Sequence, residues 1–165
     1  MGPKALKRWN DNVQSIAFYA DTKSITRFTR TLHTTLGGVE GIRGLCLRNS
    51  SRPYLCDLHL NGGGDTGDAA SWKTTNLYAH EFAHAIDWGN ADLAPLSSSQ
   101  AWKDAWHDEG DEINGRLGIA GNEASEGFGN FAVFAWNYPE DARRHYPECW
   151  RFWEERGLAV ASSAR

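Results

Sequence analysis

The stretch LYAHEFAHAIDW, residues 77–88, combines apolar side chains with two histidines four residues apart. Residues at this spacing share one face of an α-helix, so the imidazoles of His80 and His84 can reach a single metal ion. Apolar neighbours such as Phe82 and Ile86 predict that the helix is buried, and we expect it to span about residues 72–88. Two buried imidazoles beside a carboxylate are costly without a metal or hydrogen-bond partners. The segment therefore predicts a buried, metal-binding helix.

The intervening carboxylate, Glu81, lies one step round this helix from His80. In that position it is suited to take a proton from a water on the metal rather than to bind the metal itself. Chance explains the motif poorly, because six His and ten Glu in 165 residues give a His-Glu-x-x-His match in only about one such chain in a hundred. We expect one Zn²⁺ per chain, with Glu81 as the general base.

A catalytic zinc usually takes three protein ligands, so a third donor must come from elsewhere in the chain. No histidine follows at the short spacing of a His-Glu-x-x-His-x-x-Gly-x-x-His site. The best candidate segment is the helix-like NEASEGFGN, residues 122–130. In it Glu126 is the preferred ligand, and Glu123 is the alternative.

Two further side chains are candidates for supporting the ligands. Asn130 lies one helical turn beyond Glu126, where its amide oxygen can accept a hydrogen bond from a ligand histidine and select its tautomer. Asp87 follows His84 by three residues and so lies on the metal-facing side of the first helix. It is expected either to orient a ligand or to cap a neighbouring element, and an ordinary surface carboxylate is as good an interpretation.

Composition restricts the class of protein. The chain has 165 residues, a formal net charge of −4 and 41% hydrophobic residues, which predicts one globular domain over residues 1–165. Clustered Lys and Arg are lacking, which argues against nucleic acid as a partner. No run approaches the roughly 18 apolar residues of a membrane span, and residues 1–10 lack the apolar stretch of a secretory signal. We expect a monomer.

The first part of the domain, residues 11–60, is predicted to hold helices and a hairpin. Apolar spacing from Asn12 to about Leu36 is close to the helical period and predicts two helices. Two strand-like runs between about residues 43 and 60 flank a turn-prone segment and predict a β-hairpin. This hairpin would bring Cys46 and Cys56 opposite each other, so a disulfide and two buried thiols remain alternatives.

The second part, residues 72–156, is predicted to hold the active-site helix and a helical remainder. Helical patterns cover residues 100–106, 122–136 and 139–155, and Gly110 to Gly121 is expected to be irregular. Many helices and few strands predict an α+β domain that is mostly helical with a small mixed sheet. The hairpin that includes Tyr54 to Leu60 is expected to offer an edge strand to which an extended peptide can add.

Three segments resemble the catalytic domain of anthrax lethal factor and the related clostridial Pro-Pro endopeptidases. They are HEFAHAIDW (residues 80–88), SQAWKDAWHDE (residues 99–109) and NEASEGFGNFAVF (residues 122–134). These enzymes are gluzincins, zinc peptidases with two helix histidines and a downstream glutamate. The resemblance, which covers about residues 77–153, implies a zincin-like fold and a peptide or protein substrate, and it favours secretion, as would a Cys46–Cys56 disulfide. It also implies the zinc ligands His80, His84 and Glu126 and the general base Glu81.

The chain departs from this family at two positions. The family pattern Glu-x-Phe-Ala-Glu reads EGFGN at residues 126–130, so Asn130 replaces a carboxylate. Ile119 stands where the family has a tyrosine whose hydroxyl stabilises the oxyanion of the tetrahedral intermediate. Another donor would have to replace it, and loss of one such donor typically costs roughly 100- to 1000-fold in turnover. The conceivable suppliers are His107, Arg116, Tyr138 and His145.

The sequence therefore predicts a zinc-dependent metallopeptidase that uses Glu81 as its general base. The alternative is a zinc-bearing binding module, an inactive peptidase homologue with little or no turnover. The missing tyrosine favours the alternative, whereas the presence of Glu81, which a structural zinc does not need, favours the enzyme.

Overall fold

The computed structural model describes residues 1–19, 24–25, 44–48, 51–52, 55–61, 74–88, 94–119 and 122–160. The strands in these ranges are β1 (Val13–Tyr19), β2 (Gly44–Arg48) and β3 (Cys56–Asn61). The helices are α1 (Pro3–Asn12), α2 (Thr74–Asp87), α3 (Gln100–Leu117), α4 (Ala124–Asn137), α5 (Pro139–His145) and α6 (Pro147–Glu155), with a short 3₁₀ turn at Leu96–Ser98. A mostly helical α+β chain with a small mixed sheet is thereby confirmed. No described helix is long and apolar enough to cross a membrane.

The sheet has the strand order β1-β3-β2. β3 runs antiparallel to β2, which confirms the predicted hairpin, and parallel to β1. Leu58 and Leu60 on one face of β3 are fully buried, and His59 on the other face is buried as well, as expected for a central strand. Within the described sheet, the edge strand that the hairpin offers is β2.

The predicted helix over the residues that follow Asn12 is wrong, because they form β1. Val13, Ile16 and Phe18 belong to residue types that favour strands, and pairing with β3 along the whole of β1 outweighs a weak helical period. The helix precedes the strand as α1, which Pro3 opens at a position where a missing N–H costs nothing. The second predicted helix, from Asp21, lies almost entirely outside the described residues.

α2 and α4 pack against each other more extensively than any other pair of helices. The contact is possible because Ala83 and Ile86 of α2 are fully buried and α4 is buried continuously from Gly127 to Ala135. An aromatic cluster lies beyond α4, where the Phe128 ring meets the Trp102 ring edge-on at 5.2 Å between centroids. The two helices therefore bring the two predicted ligand segments together inside the core.

α3 is longer than the sequence predicts. It begins after Ser99, whose hydroxyl accepts a hydrogen bond from the backbone N–H of Trp102, and it continues through Gly110 to end at Gly118. Gly110 is not a break, because a Cβ there would lie 2.6 Å from the Trp106 ring, so this glycine makes room for an indole.

The helix predicted over residues 139–155 is interrupted at Tyr146. That residue has φ −128° and ψ 62°, outside the helical region, and divides the segment into α5 and α6. The cause is Pro147, since a proline disfavours helical backbone in the residue before it.

Gly127 on α4 is also in close contact with Trp106, because a Cβ at this position would lie 2.3 Å from the indole. We expect Gly127→Ala to lower the free energy of unfolding by about 1–3 kcal/mol, since the buried indole cannot move away without strain. Gly115→Ala is the matched control on α3, where a Cβ meets nothing within 4 Å. It should instead stabilise the protein by about 0.5–1 kcal/mol. Urea denaturation measures both, and equal stabilities of the two variants would contradict the predicted packing.

Candidate metal centre

His80 and His84 of α2 and Glu126 of α4 bring one ligand atom each to within 4.8 Å of one another. The two imidazole Nε2 atoms are 3.0 Å apart, and the Glu126 carboxylate oxygens lie 3.3 Å from Nε2 of His80 and 3.7 Å from Nε2 of His84. Tetrahedral coordination with bonds of 2.0–2.2 Å separates neighbouring ligand atoms by about 3.4 Å. The separations, which involve both oxygens of the Glu126 carboxylate, lie near that value, so the group is positioned to hold one metal ion.

Of the two carboxylates predicted as the third ligand, the structure brings Glu126 to the histidines. Glu123 is the exposed residue that immediately precedes the first turn of α4 and does not belong to the group. Glu126 lies in that first turn, where the partial positive charge of the helix N-terminus favours a carboxylate.

The protonation of the group favours a cation. Burial and the positive charge of His80 hold the pKa of His84 well below its usual range, so this imidazole is neutral. A hydrogen bond with His80 lowers the pKa of Glu126, so this carboxylate is ionised. Burial also opposes a charge on His80, but the hydrogen bond and negative charge of Glu126 outweigh it and raise the pKa of His80. A metal ion at this place would replace the proton that the raised pKa of His80 favours.

Glu81 lies beside the group, on the side of α2 that faces β2. It is 7% exposed, and burial raises the pKa of this carboxyl to about 7. A Cβ at Gly44, the first residue of β2, would lie 2.7 Å from Cγ and from Oε1 of Glu81. The strand thus approaches the carboxylate as closely as a glycine allows and holds it against the ligands.

The three ligands and Glu81 open onto a cleft of about 650 Å³ between α2, the start of α4 and β2. The other residues that line it are Gly44, Leu45, Cys46, Arg48, Trp88 and Ser125. A ligand-sized space therefore adjoins the metal site and runs along β2.

Behind His80, a chain of amides runs to the surface. Asn130 Nδ2 donates to Asn114 Oδ1 at 2.9 Å, Asn114 Nδ2 to Asn122 Oδ1 at 3.2 Å, and Asn122 Nδ2 to Asp111 Oδ1 at 2.8 Å. An ionised carboxylate can only accept, so Asp111 sets the direction of every bond in the chain. The oxygen of Asn130 is thereby left as an acceptor near His80, and an interaction with Asn130 contributes to raising the pKa of that imidazole. The structure places Asn130 where the sequence predicts it.

Asp87 does not orient a ligand. Its carboxylate is fully buried and accepts hydrogen bonds from the backbone N–H of Ser97 at 2.7 Å and from the Ser97 hydroxyl at 2.6 Å. Of the roles predicted for Asp87, the structure supports the capping of a neighbouring element, the 3₁₀ turn that contains Ser97.

The structure places the four suggested oxyanion donors away from the cleft. Arg116 is hydrogen-bonded to Asp141, and His145 lies 3.4 Å from the same carboxylate. The Tyr138 ring packs near Phe134, and His107 is exposed on α3, where it lines a different cavity. None of them lines the cleft beside the metal group.

Sequence reasoning missed two residues of the cleft, Trp88 and Arg48. The Trp88 ring stacks on the imidazole of His84 with 6.4 Å between centroids and 27° between planes. The guanidinium carbon of Arg48 lies 4.1 Å from the centroid of the same indole. Trp88 follows His84 by four residues, so helical spacing alone could have found it. Arg48 belongs to a strand 36 residues before His84 and reaches the cleft only through tertiary structure.

Cys46 and Cys56 are buried free thiols, so the structure has the second of the two alternatives left open by the sequence. In the hairpin register Cys46 pairs with Leu58, and Cys56 pairs with Arg48. The cysteines are offset by two residues instead of lying directly opposite each other. Burial raises the pKa of the Cys46 thiol, which keeps this thiol protonated.

Comparison with known proteins identified no matching family model, curated protein or solved structure. A donor group with metal-binding geometry, a buried carboxylate beside it and an adjoining cleft are the observations from which a function has to be inferred.

Proposed function

We propose that the protein is a zinc-dependent metallopeptidase of the gluzincin type, with His80, His84 and Glu126 as the zinc ligands. The observation that carries the proposal is a group of two imidazoles and one carboxylate positioned to hold one metal ion, next to a buried carboxylate outside the group. The resemblance of residues 77–153 to lethal factor-like enzymes points the same way.

Zinc is the ion that suits this group best. Two imidazoles and one carboxylate are a ligand set typical of catalytic zinc, and the cleft leaves the fourth position accessible. A structural zinc site is closed by four protein ligands, and among the described residues no fourth His, Cys, Asp or Glu joins the group.

A zinc ion bound there supplies Lewis-acid polarisation of a peptide carbonyl and lowers the pKa of water. Glu81 takes the proton from the attacking water and passes it to the leaving amine. Asn130 would keep the His80 ring oriented by accepting a hydrogen bond from Nδ1, and Gly44 leaves space for the Glu81 carboxylate. The scissile bond has to lie between Glu81 and the ligands.

The peptide is expected to bind along β2. This strand forms an edge of the described sheet and lines the cleft, so an extended peptide can add to it by backbone hydrogen bonds. The position of Gly44 next to Glu81 then brings the backbone of the substrate alongside the general base.

A zinc-bearing binding module without turnover is the second candidate. It is favoured by one observation, that none of the four suggested oxyanion donors lies at the cleft. Such a protein would bind zinc and peptides without cleaving them.

The test joins a metal assay with a peptide digest. We expect about one zinc per chain after dialysis against a low zinc concentration, measured by mass spectrometry of the metal. Incubation with a peptide library should produce new termini, and a zinc chelator should stop the cleavage until zinc is added back. Zinc binding without cleavage would support the binding module, and absence of zinc binding would contradict both candidates.

A further inference from the structure

We infer that Arg48 and Trp88 form a subsite for a carboxylate, so that the protein selects peptides carrying an acidic group near the scissile bond. The inference rests on the proposed function, because it assigns a ligand class to the same cleft. It depends on three properties of Arg48: its fixed position, the absence of an ion-paired carboxylate among the described residues, and its distance from the metal group.

The position of Arg48 is fixed by stacking. Its guanidinium carbon lies 4.1 Å from the centroid of the Trp88 ring, and Trp88 in turn stacks on His84. A cation on an indole face gains favourable electrostatic interaction, and it keeps the N–H groups at its edge available to a ligand. The subsite is therefore largely formed before a peptide binds, which lowers the entropic cost of binding.

Arg48 interacts electrostatically with the buried carboxylate of Asp87 but forms no ion pair with it. Among the described residues no carboxylate lies within ion-pair distance of its guanidinium. The acidic side chains that line the cleft are Glu81 and Glu126, which have roles at the metal. The chain has a net charge of −4, so the positive charge of Arg48 does not belong to a generally basic surface. A planar guanidinium can bind a carboxylate through two parallel hydrogen bonds.

The distance between Arg48 and His84 determines which residue of a bound peptide contacts Arg48. One indole separates the guanidinium from His84, with 6.4 Å from the imidazole to the Trp88 ring and 4.1 Å from that ring to Arg48. An extended peptide advances about 3.3 Å per residue, so the carboxylate should belong to a residue roughly two or three positions from the scissile bond. It can be an Asp or Glu side chain or the terminal carboxylate of the peptide.

The experiment measures binding without turnover. Zinc-loaded Glu81→Gln protein is immobilised and incubated with a random octapeptide library, and the retained peptides are sequenced by mass spectrometry. One arm uses amidated peptides, in which only side chains are acidic, and the other uses peptides with a free terminal carboxylate and no Asp or Glu. We expect about tenfold enrichment of acidic over amide side chains in the first arm, or of free over amidated termini in the second.

The variants separate Arg48 from general charge effects. In the Glu81→Gln background, Arg48→Gln should abolish the enrichment, Arg48→Lys should retain part of it, and Arg48→Glu should enrich Lys and Arg instead. Arg151→Gln, on the exposed face of α6, removes the same charge away from the cleft and should change nothing. Zinc content is measured in each variant, because a change at Arg48 must not act through His84.

The outcomes distinguish this inference from the proposed function. Peptides retained without an acidic preference, or with one that persists in Arg48→Gln, would overturn the subsite and leave the peptidase proposal standing. No retention by any zinc-loaded variant would overturn peptide binding in the cleft altogether. Acidic enrichment that depends on Arg48, in a protein whose wild type cleaves nothing, would support the subsite and the binding module.

Discussion

Replacing Glu81 by Gln should leave zinc binding intact and lower the rate of peptide hydrolysis by about 10³-fold. The amide has nearly the same size as the carboxylate but cannot accept the proton of the attacking water, and general base catalysis typically contributes 10²- to 10⁴-fold. The close contact with Gly44 should remain, because Gln fills the same space. Initial rates on the best substrate from the library digest, together with the zinc content, measure the effect.

Glu123→Gln is the control for this substitution. Glu123 was the alternative ligand, but the structure has it exposed and outside the metal group, so its amide variant should keep both zinc and activity. Equal activity of wild type and Glu81→Gln would remove Glu81 from the mechanism. If Glu123→Gln lost its zinc instead, Glu123 and not Glu126 would be the third ligand.

Replacing His84 by Ala should weaken zinc binding by more than about 100-fold. Loss of a residue that only supports a ligand already costs 10- to 100-fold in metal affinity, so loss of a ligand should cost more. The remaining donors, His80 and Glu126, would hold the ion by two bonds. Competition with a chromophoric chelator gives the dissociation constant.

His107→Ala is the matched control, since this exposed imidazole on α3 lies outside the metal group. It should bind zinc as the wild type does. Should His84→Ala retain one zinc per chain at unchanged affinity, the ion would have to be bound elsewhere and the proposed centre would be wrong.

The parts of the site that local sequence could predict are those that depend on helical spacing. His80 and His84 share a helix face because they are four residues apart, and the bounds of α2 agree with the predicted helix. Glu126 could be chosen because its segment is helical and carries a suitable acid. Metallopeptidase activity and the zincin-like identity of the fold stay predictions.

The parts that could not be predicted depend on contacts between distant segments. β1 has residues that suit a helix or a strand, and only pairing with β3 decides between them. Gly110 resembles a helix stop until the Trp106 ring is seen to need its space. Arg48 has no local motif at all. The suggested oxyanion donors do not line the cleft for the same reason, because the type of a residue does not show on which side of the core that residue lies.

The row of asparagines behind His80 favours one tautomer of this imidazole in the proposed zinc site. Since Asp111 can only accept, Asn122, Asn114 and Asn130 each have one amide orientation, and the oxygen of Asn130 is left as an acceptor near the ring. His80 would then keep a proton on Nδ1 and offer Nε2 to the proposed zinc. A carboxylate on the outside of α3 would thus prepare a buried ring for a metal, with less energy spent on turning amides or exchanging tautomers.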